Sequence, residues 1–446
     1  MIYDVIVCGG GPSGIAAAIS ARRNGARVLL VEQSGLLGGN SVHALVGPWM
    51  SFHYGKTQVI KGIGQEIVQR MVKKGYSLSH IPDPIGFCDT ITPYDVEGLK
   101  EVLFELMDEE QIDLLLHALI INVIRDENTI KGLKAATKSG IIDLFGKVII
   151  DATGDGDVAY KMGCDYVFGR NTDNFAQPMT MIFSVGNVKL DELKAYLKNN
   201  PDDFTLDENY DGEYLAISGC FRLVEEARKN GDFTIARDRV LLFQDVRPNQ
   251  VAVNMTRIQK HSGVDAWSLT EAEREGRRQI KEVFAFLKKY VPGFKDSFIV
   301  RTPSQIGVRE TRHILGDYIM ELDDIVEERS FEDSVCVCAY PIDIHSPDGS
   351  TLTVLEENKQ KCYEIPLRVM LPKKAEQLIV TGRAISATHE ANASMRVTPS
   401  VLALGEAAGA LASIAIKKNI KPRQVDYKEV QAGLRKQGQI VSKNDI

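Results

Sequence analysis

Residues 1–39 read MIYDVIVCGGGPSGIAAAISARRNGARVLLVEQSGLLGG, and this stretch decides the fold. Met1 to Cys8 carries Ile2, Val5, Ile6 and Val7 as an apolar strand that runs into Gly9-Gly10-Gly11-Pro12-Ser13-Gly14. That turn is G-x-G-x-x-G, with its glycines at Gly9, Gly11 and Gly14. An alanine-rich helix over Ile15 to Asn24 follows and stops at Gly25; a second strand, Arg27 to Val31, ends on Glu32. Gly9 allows the tight turn, Gly11 lets backbone approach a pyrophosphate, and Gly14 lets helix and strand pack closely. The helix start at Pro12, from Ser13 onward, presents N–H groups and a positive dipole end to phosphate. Glu32 stands 18 residues after Gly14, where an acid accepts hydrogen bonds from ribose hydroxyls. Strand, turn, helix and acid in register predict a dinucleotide site.

Further glycine turns extend the pattern. Gly38-Gly39-Asn40-Ser41 lies just past Glu32, and Val148 to Asp151 is a buried-type strand closing on Ala152-Thr153-Gly154. Leu378 to Thr381 is another strand ending in Gly382-Arg383, and Pro399 to Ile416 reads as an alanine-rich helix containing Gly405 and Gly409. Strand and helix formers alternate as a doubly wound α/β sheet requires.

The chain resembles the FAD-dependent oxidoreductases of the glutathione-reductase-like superfamily, within it the bacterial group named simply FAD-dependent oxidoreductase. The resemblance is carried by Gln177-Pro178-Met179-Thr180, Asn254-Met255-Thr256-Arg257, Gly307-Val308-Arg309-Glu310-Thr311-Arg312, Tyr340-Pro341-Ile342-Asp343-Ile344-His345 and Ser386-Ala387-Thr388-His389-Glu390-Ala391. It implies FAD as cofactor, its adenosine half on the N-terminal clamp and its ring near the helix that starts around Pro399. Proline suits a first helical turn, and N–H groups there would face the ring edge where reduction builds negative charge. Many relatives carry an aspartate after the C-terminal glycine to hold the ribityl chain. Arg383 occupies that place in this sequence, and either a phosphate contact or a surface salt bridge suits it.

The expected fold is therefore a Rossmann-like FAD-binding domain, a parallel sheet plus a three-stranded insertion, with an inserted mixed α+β substrate domain. The FAD-binding parts span 1–160 and 371–425, the substrate or cap domain 161–370, and a C-terminal helix fraying into a tail 426–446. Val59 to Lys74 and Asp95 to Glu110 read as amphipathic helices, and the insertion's hairpin turns at Ser139-Gly140. A long helix over Leu269 to Tyr290 is predicted to start at Ser268, with Glu271 completing a capping box.

Composition narrows the class. The 446 residues accommodate about two or three domains, and 44% hydrophobic content is ample for large cores. Net charge is −7 and no basic stripe is present, which argues against a nucleic-acid partner. The first strand begins at residue 2 and leaves no room for a signal peptide. No apolar run approaches the roughly 20 residues needed to cross a bilayer, so the expectation is a cytoplasmic protein without membrane contact. Seven cysteines without framework spacing fit a reducing compartment. Without a C-x-x-C motif, iron–sulfur ligation and a flavin–dithiol mechanism are not expected, and no paired histidine or cysteine spacing predicts a metal site. No second strand–G-x-G-x-x-G–helix unit follows residue 39, so a dedicated nicotinamide domain is not expected either.

Flavin chemistry needs an acid or base beside the reacting carbon and donors for developing charge. His389, between the last flavin strand and the last helix, is the leading acid/base candidate; His345, after Asp343, is a second from the substrate side. Arg309 leads as anion or charge stabiliser, with a structural Arg–Glu pair as the alternative, and Arg312, Arg396, Arg257 and Asn254 are further polar candidates. His43 and His53 fall in the loop after the clamp. The expectation is hydride transfer between a small polar organic substrate and flavin N5. The alternatives are an electron-transfer subunit of a redox complex, or a flavin-dependent ene-reductase or hydroxylase. Substrate, electron acceptor and subunit count stay open.

Overall fold

The computed structural model describes residues 2–345, 352–353 (backbone only) and 360–446; Met1 of the expected first strand lies outside them. Ile2–Cys8 sits at the centre of a parallel sheet ordered Asp113–Leu115, Val28–Val31, Ile2–Cys8, Gly140–Asp151 and Leu378–Val380. Both faces are covered, which is why these strands are apolar runs rather than alternating ones. Val5 and Val7 point into the core shared with the opening helix Pro12–Arg23 and the closing helix Thr398–Lys418. Ile6 and Cys8 point into the core on the other face, with Val158, Ala159 and Met162 of the short helix Asp157–Met162. The first half of Gly140–Asp151 leaves the parallel sheet and pairs antiparallel with Thr129–Thr137, which pairs with Leu119–Asp126. This is the expected three-stranded insertion.

The closing helix corrects one expectation. Its 21 residues are long and apolar enough to cross a membrane by length and composition, but 89% of its 18-residue apolar stretch is buried inside the protein. Small residues explain this: Gly405, Ala408, Gly409 and Ala412 let it lie against the opening helix and the sheet, so apolarity serves a core position.

A second core, residues 179–308, stands on a six-stranded antiparallel sheet ordered Phe204–Thr205, Ala216–Gly219, Val240–Gln244, Gln250–Val253, Phe183–Gly186 and Phe298–Arg301. The helix Ala266–Tyr290 lays Ala272, Ile280, Val283, Phe286 and Leu287 onto this core. Its cap is Asp265, whose carboxylate accepts the Ser268 N–H at 2.7 Å. Ser268 is not the cap because its hydroxyl instead accepts the Ser262 N–H at 2.8 Å.

The strands Ser334–Cys338 and Tyr363–Pro366 pair with each other and belong to the first core, beside the closing helix. The C-terminus does not fray as expected. After the helix Tyr427–Lys436, Ile440 and Val441 are buried in the same core, and Ser442 Oγ donates to Glu364 at 2.8 Å.

Candidate active site

A cavity of about 560 Å³ runs from the glycine turn, past the start of the closing helix, to the face of the six-stranded sheet. At the turn end, Gly9 adopts φ +105°, and a Cβ there would fall 2.4 Å from the Ala152 carbonyl oxygen. Gly11 caps the opening helix and Pro12 takes its first turn. The nearest atom to a Cβ built on Gly11 is the Gly39 Cα at 3.9 Å, so two bare backbone segments face each other at the mouth of the helix. Gly39 has φ +50° and admits no side chain, since its Cβ would lie 2.9 Å from Gly11 Cα. Glu32 closes this end: Oε2 accepts the Gly10 N–H at 2.7 Å and Oε1 the Ser34 N–H at 2.8 Å. A bare-backbone cradle, a helix N-terminus and a fixed carboxylate suit a pyrophosphate and a ribose.

Ser13 Oγ lies 2.8 Å from Thr381 Oγ1, which ties the opening helix to the last strand, and Asn40 Nδ2 donates to the Val308 carbonyl at 3.0 Å. Arg383 reaches the cavity wall, but its donors are engaged by Gly154 O at 2.8 Å, Val308 O at 2.6 Å and Asp155 Oδ1 at 2.6 Å. It makes a half-buried clamp between segments rather than a surface salt bridge, and its two remaining Nη–H groups are the ones a cofactor could engage. Gly154 and Gly382 line the cavity at φ +81° and +83°.

Of the residues expected to bind cofactor, Gly9, Gly11, Pro12, Ser13, Glu32, Gly39, Asn40, Gly154, Gly382 and Arg383 line the cavity, and Gly14 and Pro399 do not. Gly14 packs instead, because a Cβ there would meet the Gly9 carbonyl oxygen at 1.9 Å. Pro399 is buried behind Val397, Thr398 and Val401, which form the wall at the closing helix's start.

The far end of the cavity is built by charge. Asp343 Oδ2 lies 3.2 Å from His345 Nε2, accepts the Tyr340 hydroxyl at 3.4 Å and stands 3.9 Å from Arg396 Nη2. Burial opposes ionisation of Asp343, but the hydrogen bond from His345 and the charges of Arg396 and Arg309 outweigh it and hold the carboxyl well below its ordinary range. Burial pushes His345 down to about 3 against the pull of Asp343, so its imidazole is neutral at neutral pH. Arg309 donates to the Pro178 carbonyl; burial and the nearby Arg396, Arg257 and Arg237 push it down to about 9. No Arg309–Glu310 pair forms.

His389 is set back from the cavity. Its Nδ1 is 2.9 Å from Glu310 Oε1, and His313 Nε2 is 3.3 Å from the same oxygen. Glu310 Oε2 accepts the Gln177 N–H at 2.8 Å, so this buried carboxylate organises three segments. Arg312 pairs with Asp157 at 3.0 Å, outside the cavity. His43 lines the cavity wall between Ser34 Oγ at 2.9 Å and Ser304 Oγ at 3.1 Å, whereas His53 bonds Thr90 elsewhere. Arg237, Asp155 and Tyr340 also line the cavity. Arg237 was not among the sequence candidates; Arg237-Asp238-Arg239, a charged triplet entering an apolar strand, is the signal that marks it. All seven cysteines are buried and free of disulfides.

A family model described as "FAD dependent oxidoreductase" matches residues 4–434. Among curated relatives, the NADH:fumarate oxidoreductase of Klebsiella pneumoniae (strain 342) is 41% identical over 101 residues, 22% of this chain and 11% of that protein. The thiamine thiazole synthase of Aeropyrum pernix is 28% identical over 159 residues, 34% of this chain and 54% of that protein. The chain thus spans from about a tenth to about half of the length of these relatives. A solved geranylgeranyl bacteriochlorophyll reductase-like protein from Thermoplasma acidophilum aligns with 97% of this chain and 82% of its own, at 13% identity and TM-score 0.49.

Proposed function

The chain belongs to the FAD-dependent oxidoreductase family, and we propose that it moves a hydride between a small polar organic substrate and the flavin, with the substrate held at the Arg309–Asp343–His345 end of the cavity. FAD supplies hydride exchange at ring atom N5. Everything else falls to the chain. The glycine turn and Glu32 hold the dinucleotide, and the start of the closing helix offers N–H groups to the ring edge.

The observation that carries the proton chemistry is the 3.2 Å contact between His345 and Asp343 on the cavity wall. A neutral His345 that donates Nε2–H to Asp343 keeps Nδ1 as an acceptor for a substrate hydroxyl proton. Asp343 fixes that tautomer and stabilises the imidazolium that forms, as a carboxylate does for a catalytic histidine elsewhere. In the reverse direction the same imidazolium returns the proton. His389 acts as a positioning residue, holding Glu310 and through it the segment that carries Arg309.

Anaerobic flavin reduction by a panel of hydroxy and amino compounds tests this. His345→Ala is expected to retain FAD and slow reduction by about 10²–10⁴-fold, the usual worth of a positioned proton acceptor. His389→Ala is expected to lower thermal stability while leaving the pH dependence of reduction in place. An unchanged reduction rate in His345→Ala removes the histidine from the reaction.

A further inference from the structure

The geometry points to an organic anion as the substrate, its oxyanion group held by Arg237, Arg309 and Arg396. This rests on the reading of the cavity's far end as the substrate site.

Arg237 lies on the loop that enters Val240–Gln244 and is 8% exposed. It lines the cavity, yet its Nε is buried without an acceptor among the described residues. The carboxylate next to it in sequence is taken, because Asp238 forms two 2.9 Å bonds to Arg239. Arg396 repeats the pattern. Its Nη2 donates to Gln177 Oε1 at 3.1 Å, while its Nε is buried with no acceptor among the described residues. Arg309 satisfies one donor on the Pro178 carbonyl.

Among the described residues the carboxylate that faces these three guanidiniums is Asp343, 3.9 Å from Arg396 and already shared by His345 and Tyr340. A buried guanidinium without a counter-charge is costly, and more so when several are collected in one cavity. The fork of N–H donors matches the paired oxygens of a carboxylate or phosphate. The cofactor's own phosphates do not meet this need. The glycine turn provides for them at the other end of the cavity, whereas Arg237 and Arg309 come from the substrate-side segments. A polyol would leave the excess positive charge in place, and an amine would add to it. A hydroxy acid, or another substrate carrying an oxyanion, neutralises it and is oriented by it, with its reacting carbon facing His345.

The test titrates the FAD-loaded enzyme with succinate, with inorganic phosphate and with succinamide at constant ionic strength, reading the visible flavin spectrum and the melting temperature. Saturable responses to succinate or phosphate, and none to succinamide, are expected; the tighter of the two anions tells carboxylate from phosphate recognition. Arg237→Gln should raise the anion Kd by about 10–100-fold at unchanged FAD content, the worth of a charge-assisted hydrogen bond. Arg237→Lys should recover part of the loss. Arg396→Gln gives the same reading if Arg237→Gln fails to retain FAD. Equal binding of succinamide and succinate, no saturable response to either anion, or an unchanged Kd in these variants would overturn the assignment. Flavin reduction by uncharged compounds alone would overturn it while sparing the oxidoreductase reading. Succinate binding by an enzyme whose flavin no compound reduces would instead sink that reading.

Discussion

Gly405 of the closing helix stands against Ser13 of the opening helix so closely that a Cβ at residue 405 would lie 2.1 Å from the Ser13 carbonyl oxygen. One turn on, a Cβ on Gly409 would lie 2.3 Å from the Ala17 carbonyl oxygen. The contact is backbone on backbone, so neither helix can yield by turning a side chain aside. Gly405→Ala is expected to destabilise the protein by about 1–3 kcal/mol, the range for overpacked cores, and Gly405→Val by more. Because Ser13 lines the cavity just past the glycine turn, FAD content should fall with stability. Calorimetry and the ratio of visible to ultraviolet absorbance check both.

Glu32 spends both oxygens on backbone N–H groups, those of Gly10 and Ser34. It therefore shapes the glycine turn, and under the proposed function its remaining lone pairs serve the cofactor. Glu32→Gln can accept only one of these bonds, and its amide nitrogen faces an N–H. Reconstitution of apoprotein should show the FAD Kd raised by about 10–100-fold, with substrate binding affected only through lost flavin. A variant that binds FAD as tightly as the wild type would show that Glu32 serves the turn alone.

Glu406 lies in the middle of the closing helix, where Oε2 accepts the Ile63 N–H at 2.9 Å and Oε1 is buried without a partner among the described residues. Burial pushes its carboxyl up from 4.5 to about 8. The folded chain keeps a proton that the unfolded chain releases, so this contribution to stability is full below about pH 4.5 and is lost as pH rises to about 8. Glu406→Gln keeps the acceptor for Ile63 and cannot ionise. It should flatten the fall in stability across that interval, which for a fully coupled group reaches about 1.4 kcal/mol per pH unit. Denaturant unfolding at several pH values decides the matter; parallel curves for the two proteins would refute it.

Local chemistry was legible in the chain, and convergence was not. The turn from Gly9 to Gly14, Glu32 and the strand ending at Asp151 announce themselves because each depends on neighbours within about one supersecondary unit. The three-stranded insertion was legible for the same reason. Arg237 was not, since its meeting with Arg309 and Arg396 is made by tertiary packing across long stretches of chain. His389 looked like a cavity residue from its place between strand and helix, but Glu310, brought in from another segment, holds it behind the wall. The cap of the long helix moved from Ser268 to Asp265 because the serine hydroxyl accepts from Ser262 instead. The closing helix shows the limit most directly. Its composition fits a bilayer or a protein core equally, and only its glycine contacts with the opening helix separate the two.

The meeting of the two helices also sets an order of events during biosynthesis. The proposed cofactor seat draws on cavity residues between 9 and 40 and between 382 and 401, which leave the ribosome more than 340 residues apart. A nascent chain holds the glycine turn for most of its synthesis without the wall that completes the groove. On that reading, acquisition of FAD waits until synthesis has passed residue 401, and a chain interrupted ahead of residue 398 is expected to emerge colourless however well its opening sheet had formed.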